Sequence, residues 1–228
     1  PYTLGIGLYG PPGTGKTSFI KALASYTNRH VIILSLKLLK KRQYLEEFFF
    51  ELRYNNLNHE DIEFNKKIIV IEDIDCNDDV VLSRELKNTR QDNDKVIPNK
   101  TTLQNNENLS DDYVKKMLND DPITLDDILN LWDGIQETPG RILIISSNHY
   151  DKLDGALIRP GRIDVSLELK NANHKVISDI YNYLFKKKIT KKTLQKIPEY
   201  KYSPAQLINF YLQCENNSDT FLKLIEIK

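Results

Sequence analysis

Gly10-Pro11-Pro12-Gly13-Thr14-Gly15-Lys16-Thr17 decides how this chain is read. The octet fits glycine, four residues, then Gly-Lys-Ser/Thr, the pattern of a phosphate-binding P-loop. Its glycines let successive backbone N–H groups turn inward around phosphate oxygens, and the helix that follows adds positive potential at its N-terminus. Lys16 is placed to reach β- and γ-phosphates, and the Thr17 hydroxyl to ligand Mg²⁺. With Ser18 in the first helical turn, residues 10–18 form the candidate nucleotide-binding set. The flanks match the motif's requirement, with an apolar strand at Leu4–Tyr9 before it and an amphipathic helix from about Lys16 to Tyr26 after it.

An overlapping pattern, Gly5-Ile6-Gly7-Leu8-Tyr9-Gly10, satisfies the dinucleotide-binding fingerprint. That fingerprint needs a helix opening at its glycines and an acid at a strand end about 20 residues on. Pro11-Pro12 and the run His30–Leu36 supply neither, so hydride transfer is set aside.

Outward from the loop, strands and helices alternate. Val31–Leu36 is expected as a second buried strand, and Tyr44, Leu45, Phe48, Phe49 and Leu52 repeat at helical spacing. Ile68–Ile71 reads as a third strand. Thr124 is a plausible N-cap for a helix running to Gly134, with Asp127 in its first turn. Ile142–Ser146 and Val165–Leu169 are the fourth and fifth strands. From about residue 171 the pattern is helical only, with a stripe at Val176, Ile177, Ile180, Tyr181 and Leu184. Ser203-Pro204 there reads as an N-cap with proline at the first helical position. The expected fold is α/β: a parallel five-stranded sheet flanked by helices over 1–170, then a small helical subdomain over 171–228. Residues 76–121 are rich in Asn, Asp, Lys and Glu and read as a mobile insertion, with a weak helix near Val114–Leu118 as the alternative.

Thirty-two basic and thirty-two acidic residues cancel, which argues against a nucleic-acid footprint driven by charge alone. Cys76 and Cys214 stand in no metal-ligand spacing and fit a reducing compartment. No apolar run reaches the roughly 18 residues of a membrane span. Residue 1 is Pro, so the chain is expected to begin inside a longer polypeptide.

Two strand ends carry the remaining chemistry. Four apolar residues, Ile68–Ile71, run straight into Glu72 and Asp73, with Asp75 beyond. Acids at the carboxyl edge of such a sheet sit beside the P-loop, where one can hold the Mg²⁺ shell and its neighbour orient the attacking water. The fourth strand ends in Ser146-Ser147-Asn148-His149, and an amide at Asn148 is placed to contact a γ-phosphate or that water. His149 reads as a turn or surface residue.

Taken together, these segments resemble the AAA family of ATPases within the wider AAA+ group. The resemblance rests on GPPGTGKT at 10–17, IIVIEDID at 68–75 and SSNHYDKLDGALIRPGRID at 146–164. It is closest to the BCS-one-like branch, whose members in mitochondria help assemble respiratory complex III. Shared with that branch are the Glu-Asp order of the acidic pair, Pro1-Tyr2, Ser203-Pro204-Ala205 and the Leu125–Gly134 helix ending in Asp-Gly. The resemblance implies ATP and Mg²⁺ as cofactors, with Thr17 and Glu72 on the metal side and Asp73 polarising the water. It gives Asn148 the sensor position. It makes Arg159 and Arg162 arginine fingers that serve the neighbouring subunit of a homo-oligomeric ring, a hexamer or heptamer. It also implies a P-loop strand in the centre of the sheet and C-terminal helices acting as a lid. A local ion pair, of Arg162 with Asp164 or another nearby acid and of Arg159 with such an acid, is the competing reading for both. The branch carries a membrane span and a dedicated domain ahead of the ATPase module, neither of which lies within these residues. Lys37–Tyr44 lacks the aromatic-hydrophobic-Gly loop that many relatives present to a central pore. Ser203–Phe210 has no Arg or Lys to touch nucleotide. The expected function is therefore a ring-forming, ATP-hydrolysing remodeller of proteins. A nucleic-acid motor and a non-catalytic nucleotide-binding scaffold remain as alternatives.

Overall fold

A computed structural model of the chain describes residues 3–36, 38–39, 41–54, 60–76, 81 and 123–226. Lys67–Ile71 (β3) and Arg141–Ser147 (β4) are buried at every position, as strands covered on both faces must be. They pair in parallel, Ile68 opposite Ile142 through Ile71 opposite Ile145. Thr3–Tyr9 (β1) lies on the other side of β4, and Val165–Glu168 (β5) pairs with β1. His30–Ile33 (β2) closes the opposite edge against β3, giving a five-stranded, all-parallel order β2-β3-β4-β1-β5. The P-loop strand β1 is thus interior, but β4 holds the central position.

Helices cover both faces. Lys16–Thr27 (α1) lays Ile20 and Ala24 on Ile6, Leu8, Ile68, Val70, Ile142 and Ile144. The other face receives Arg42–Phe50 (α2) and Leu125–Asp133 (α3), through Leu45, Phe49, Ile128 and Trp132 on Ile69, Ile71, Leu143 and Ile145. Thr124 caps α3 in a reciprocal box with Asp127. Past β5, His174–Phe185 (α4), Lys191–Leu194 (α5), Pro204–Gln213 (α6) and Ser218–Ile225 (α7) enclose a core of their own around Ile177, Tyr181, Leu207 and Phe221.

Three expectations change. The second strand is an exposed edge rather than a buried strand, with Ile33 56% exposed, because β2 has a partner on one side only. Leu34 and Leu36 are buried, but beyond the strand's end. Val81, read as part of the insertion, is fully buried, and its carbonyl accepts the Asp154 N–H. The rest of the 76–121 reading, including Val114–Leu118, lies outside the described residues apart from Cys76.

Gly5 and Gly7, which raised the dinucleotide pattern, have a packing role. Residues 150–163 cross the face of β1 so closely that a Cβ at Gly5 would overlap the Arg162 carbonyl and one at Gly7 would meet the Tyr150 ring.

At the sheet's amino edge, Lys67 is fully buried and donates to the Glu51 carbonyl (2.7 Å) and the Tyr54 hydroxyl (2.9 Å). Its ammonium also lies 4.4 Å from the Phe64 ring centroid. Burial lowers Lys67 from 10.5 to about 8 and raises Tyr54 from 10.0 to about 12. Between pH 8 and 10.5 the unfolded chain binds more protons at Lys67, so this group adds stability as pH rises through that window. Tyr54 acts oppositely above pH 10, where the folded chain holds its proton longer. Denaturant midpoints from pH 7.5 to 9.5 should therefore rise for the wild type relative to Lys67→Met. Parallel profiles would contradict a Lys67 whose pKa burial lowers.

Candidate nucleotide site

The phosphate loop leaves β1 at Gly10 and enters α1 after Gly15. Gly10, Gly13 and Gly15 all have positive φ, at 136°, 78° and 105°, conformations that side-chain-bearing residues resist. Thr14 is buried, and its hydroxyl donates to the Pro11 carbonyl at 2.8 Å, so its side chain holds the loop's shape. Gly15 caps α1 without a side-chain hydrogen bond, and no acid occupies the first turn. The helix therefore presents open N–H donors to an anion.

Lys16 Nζ donates to the Gly10 carbonyl and to Asn148 Oδ1, both at 2.7 Å. It links the loop to the end of β4. Partial burial lowers its pKa, and the carboxylates of Asp73 and Asp75 oppose that shift. Thr17 Oγ1 donates to Glu72 Oε1 at 3.2 Å. These two oxygen groups suit Mg²⁺, which completes its octahedron with waters and nucleotide phosphates rather than with a protein cage.

Asp73 follows with φ +45°, a left-handed conformation that Asp tolerates better than most residues. Its N–H donates to Ser146 Oγ at 3.1 Å, and the Asn148 N–H donates to Asp75 Oδ1 at 3.3 Å. Lys16, Thr17, Asp73 and Asn148 line one cavity of about 380 Å³ with Pro204, Ala205 and Ile208. The start of α6 closes directly on the loop, since the Ala205 N–H donates to the Gly13 carbonyl at 3.1 Å. A larger cleft of about 820 Å³ is lined by Tyr9–Pro12, Asn148–Asp151 and Glu168, beside the stacked Tyr9 and Tyr150. Lys16, Thr17 and Asp73 line the smaller cavity and not this one.

Arg159 and Arg162 lie elsewhere. Asp164, just beyond them, pairs with Gly5 in both directions at 2.9 Å, beside the amino half of β1. At about 3.3 Å per residue, that is about 16 Å of strand from the phosphate loop. One oxygen of Asp133, at the end of α3, accepts from Arg159 Nη2 (2.8 Å) and Arg162 Nε (2.7 Å). The two arginines are not equivalent. The Arg162 side chain is 8% exposed and also donates to the Ala156 carbonyl, whereas that of Arg159 is 58% exposed. The local acid for both arginines is thus Asp133, while Asp164 is engaged by the backbone of Gly5 and Gly161. His149 is exposed, as expected of a turn residue.

Sequence reasoning left Ser146, Asp75 and Asp133 without roles. For Asp133 a signal existed. An acid in the last turn of a helix opposes the helix dipole and calls for cations nearby.

Residues 6–171 match the family described as "ATPase family associated with various cellular activities (AAA)". A protein of Acanthamoeba polyphaga mimivirus named as an AAA family ATPase is 36% identical over 203 residues, covering 89% of this chain and 97% of the relative. A Dictyostelium discoideum protein named as a mitochondrial chaperone of the BCS1 type is 31% identical over 222 residues. That match takes in 96% of this chain but 45% of the relative. An Arabidopsis thaliana AAA-ATPase is 33% identical over 180 residues, 78% of this chain and 32% of the relative.

Proposed function

The chain belongs to the AAA family of ATPases, and from that premise we propose that it binds Mg²⁺-ATP in the Pro12–Ser18 cavity and hydrolyses it. The observation that carries this reading is the convergence of Lys16, Thr17, Asp73 and Asn148 on one cavity at the carboxyl edge of the sheet. Loop N–H groups and Lys16 bind the phosphates. Thr17 and Glu72 would hold Mg²⁺, which would supply charge neutralisation for the phosphate oxygens. Asp73 orients a water and takes its proton as the water oxygen bonds to the γ-phosphorus and the bond to the β-phosphate oxygen breaks. ADP and phosphate leave. Asn148, joined to Lys16, positions the γ-phosphate or the water. Helices α4 to α7 serve as the lid, which the contact of Ala205 with Gly13 favours.

Within a ring of identical copies, Arg159 reaches the neighbour's γ-phosphate, since it is exposed and remote from its own loop. Arg162, buried beneath it, is better suited to holding that segment in place. The client is a protein or protein assembly, in line with the chaperone name of the Dictyostelium relative. A neutral net charge gives a nucleic-acid motor no comparable support.

Lys16→Ala tests the binding step. Losing a charge-assisted contact should weaken ATP binding about 10- to 100-fold in a fluorescent-nucleotide titration. Wild-type phosphate release should also vanish when EDTA removes the metal. Unchanged affinity in the variant, or turnover without metal, would refute the site.

A further inference from the structure

Beyond the residues that face the cavity, a second set ties the two chemistry-bearing strand ends together. The ladder between β3 and β4 stops at Ile71 and Ile145, so no backbone pairing joins Glu72–Asp75 to Ser146–Asn148. The strands part there, and the cavity opens where they do. Two side chains replace the missing rungs. Ser146, buried at the end of β4, accepts the Asp73 N–H through its hydroxyl. Asp75, 8% exposed in the turn Ile74–Cys76, accepts the Asn148 N–H on Oδ1.

We infer that Asp75 is a positioning residue for the hydrolysis proposed above, fixing the main chain of Asn148 so that its side-chain amide stays on Lys16. The inference rests on that proposal for its functional consequence but not for its geometry. Asp75 is absent from the residues lining the nucleotide cavity, whereas Asn148 lines it and meets Lys16 Nζ at 2.7 Å. An acceptor fixed in the turn at 3.3 Å holds the partly buried Asn148 N–H in one direction, because breaking the bond would leave that donor without a partner. A terminal amide one residue past its strand otherwise has several rotamers and a mobile backbone. Pinning its N–H removes the second freedom and leaves the Lys16 contact to settle the first.

The alternative role for Asp75 is charge alone, through its attraction for the Lys16 ammonium. The two roles separate in substitutions. Asp75→Asn keeps an acceptor at the same place without charge, and Asp75→Glu keeps the charge on an arm too long for the bond. Positioning requires Asp75→Asn to retain turnover within about threefold, and Asp75→Glu and Asp75→Ala to lose about 10- to 100-fold, the range of a displaced catalytic group. The KM for ATP should stay within about threefold in all three. Amide hydrogen exchange at Asn148 gives the readout independent of hydrolysis. It should remain slow in the wild type and Asp75→Asn, and become at least about tenfold faster in Asp75→Ala. If Asp75→Asn loses as much turnover as Asp75→Ala, or Asn148 stays protected in Asp75→Ala, the positioning role is wrong. A wild type that binds but never hydrolyses ATP would instead overturn the proposed activity, and the exchange measurement would still decide the geometry.

Discussion

An Asp73→Asn chain is expected to bind ATP about as well as the wild type and to release phosphate at least about 100-fold more slowly, the lower range for a lost general base. The substitution isolates the carboxylate because little else changes. Residue 73 sits at φ +45°, and Asn tolerates left-handed backbone as readily as Asp does. The bond from the residue 73 N–H to Ser146 Oγ involves only main chain on that side and persists. Glu72, which meets the Thr17 hydroxyl, is untouched, so metal binding on that side is retained. What disappears is the group able to take a proton from water. Steady-state phosphate release and nucleotide titration on the same sample separate the two effects. Turnover near the wild-type rate would remove Asp73 from the mechanism.

Arg159→Ala should produce the larger loss, about 10³-fold or more in turnover, with ATP affinity changed by no more than several-fold. A guanidinium is permanently charged and forks onto phosphate oxygens, so it suits charge developing on a transferring γ-phosphoryl group. Arg159 can act so only across a subunit boundary, given its place beside the amino half of β1. Specific activity should therefore climb with protein concentration as copies associate, and Arg159→Ala should flatten that rise. Its removal leaves Asp133 paired with Arg162, so the fold should hardly notice. Removal of Arg162 is different in kind. It strips a buried side chain from Asp133 and from the Ala156 carbonyl, and its first effect should be on stability.

How much could be read in advance depended on how local the physics was. The phosphate loop was legible because its chemistry is written in consecutive residues, each with a backbone or charge requirement of its own. The caps at Thr124 and Ser203 were legible for the same reason: a side chain bonds to an N–H three residues on. The helix at Ser218–Ile225 fell within the helical reading of 171–228 but was given no bounds of its own, although Asn217 caps it, because eight residues give too few turns for a clear stripe. The exposure of Ile33 was hidden altogether, since an apolar run says nothing about whether its strand lies at an edge. Gly5 and Gly7 matched a dinucleotide pattern that their surroundings ruled out, but their packing role exists only where the segment 150–163 crosses over them. Asp75 and Ser146 stood beside predicted residues, yet their roles exist only where β3 and β4 part, a fact of tertiary structure.

The most direct test combines two inactive chains. In a ring assembled from Asp73→Asn and Arg159→Ala subunits, some interfaces pair an intact Asp73 with a neighbour's intact Arg159. ATP hydrolysis should return on mixing, in proportion to the fraction of such interfaces, while each chain alone stays silent. Native mass spectrometry of the same mixture establishes that the subunits co-assemble. Co-assembled rings that release no phosphate would contradict a site shared between copies.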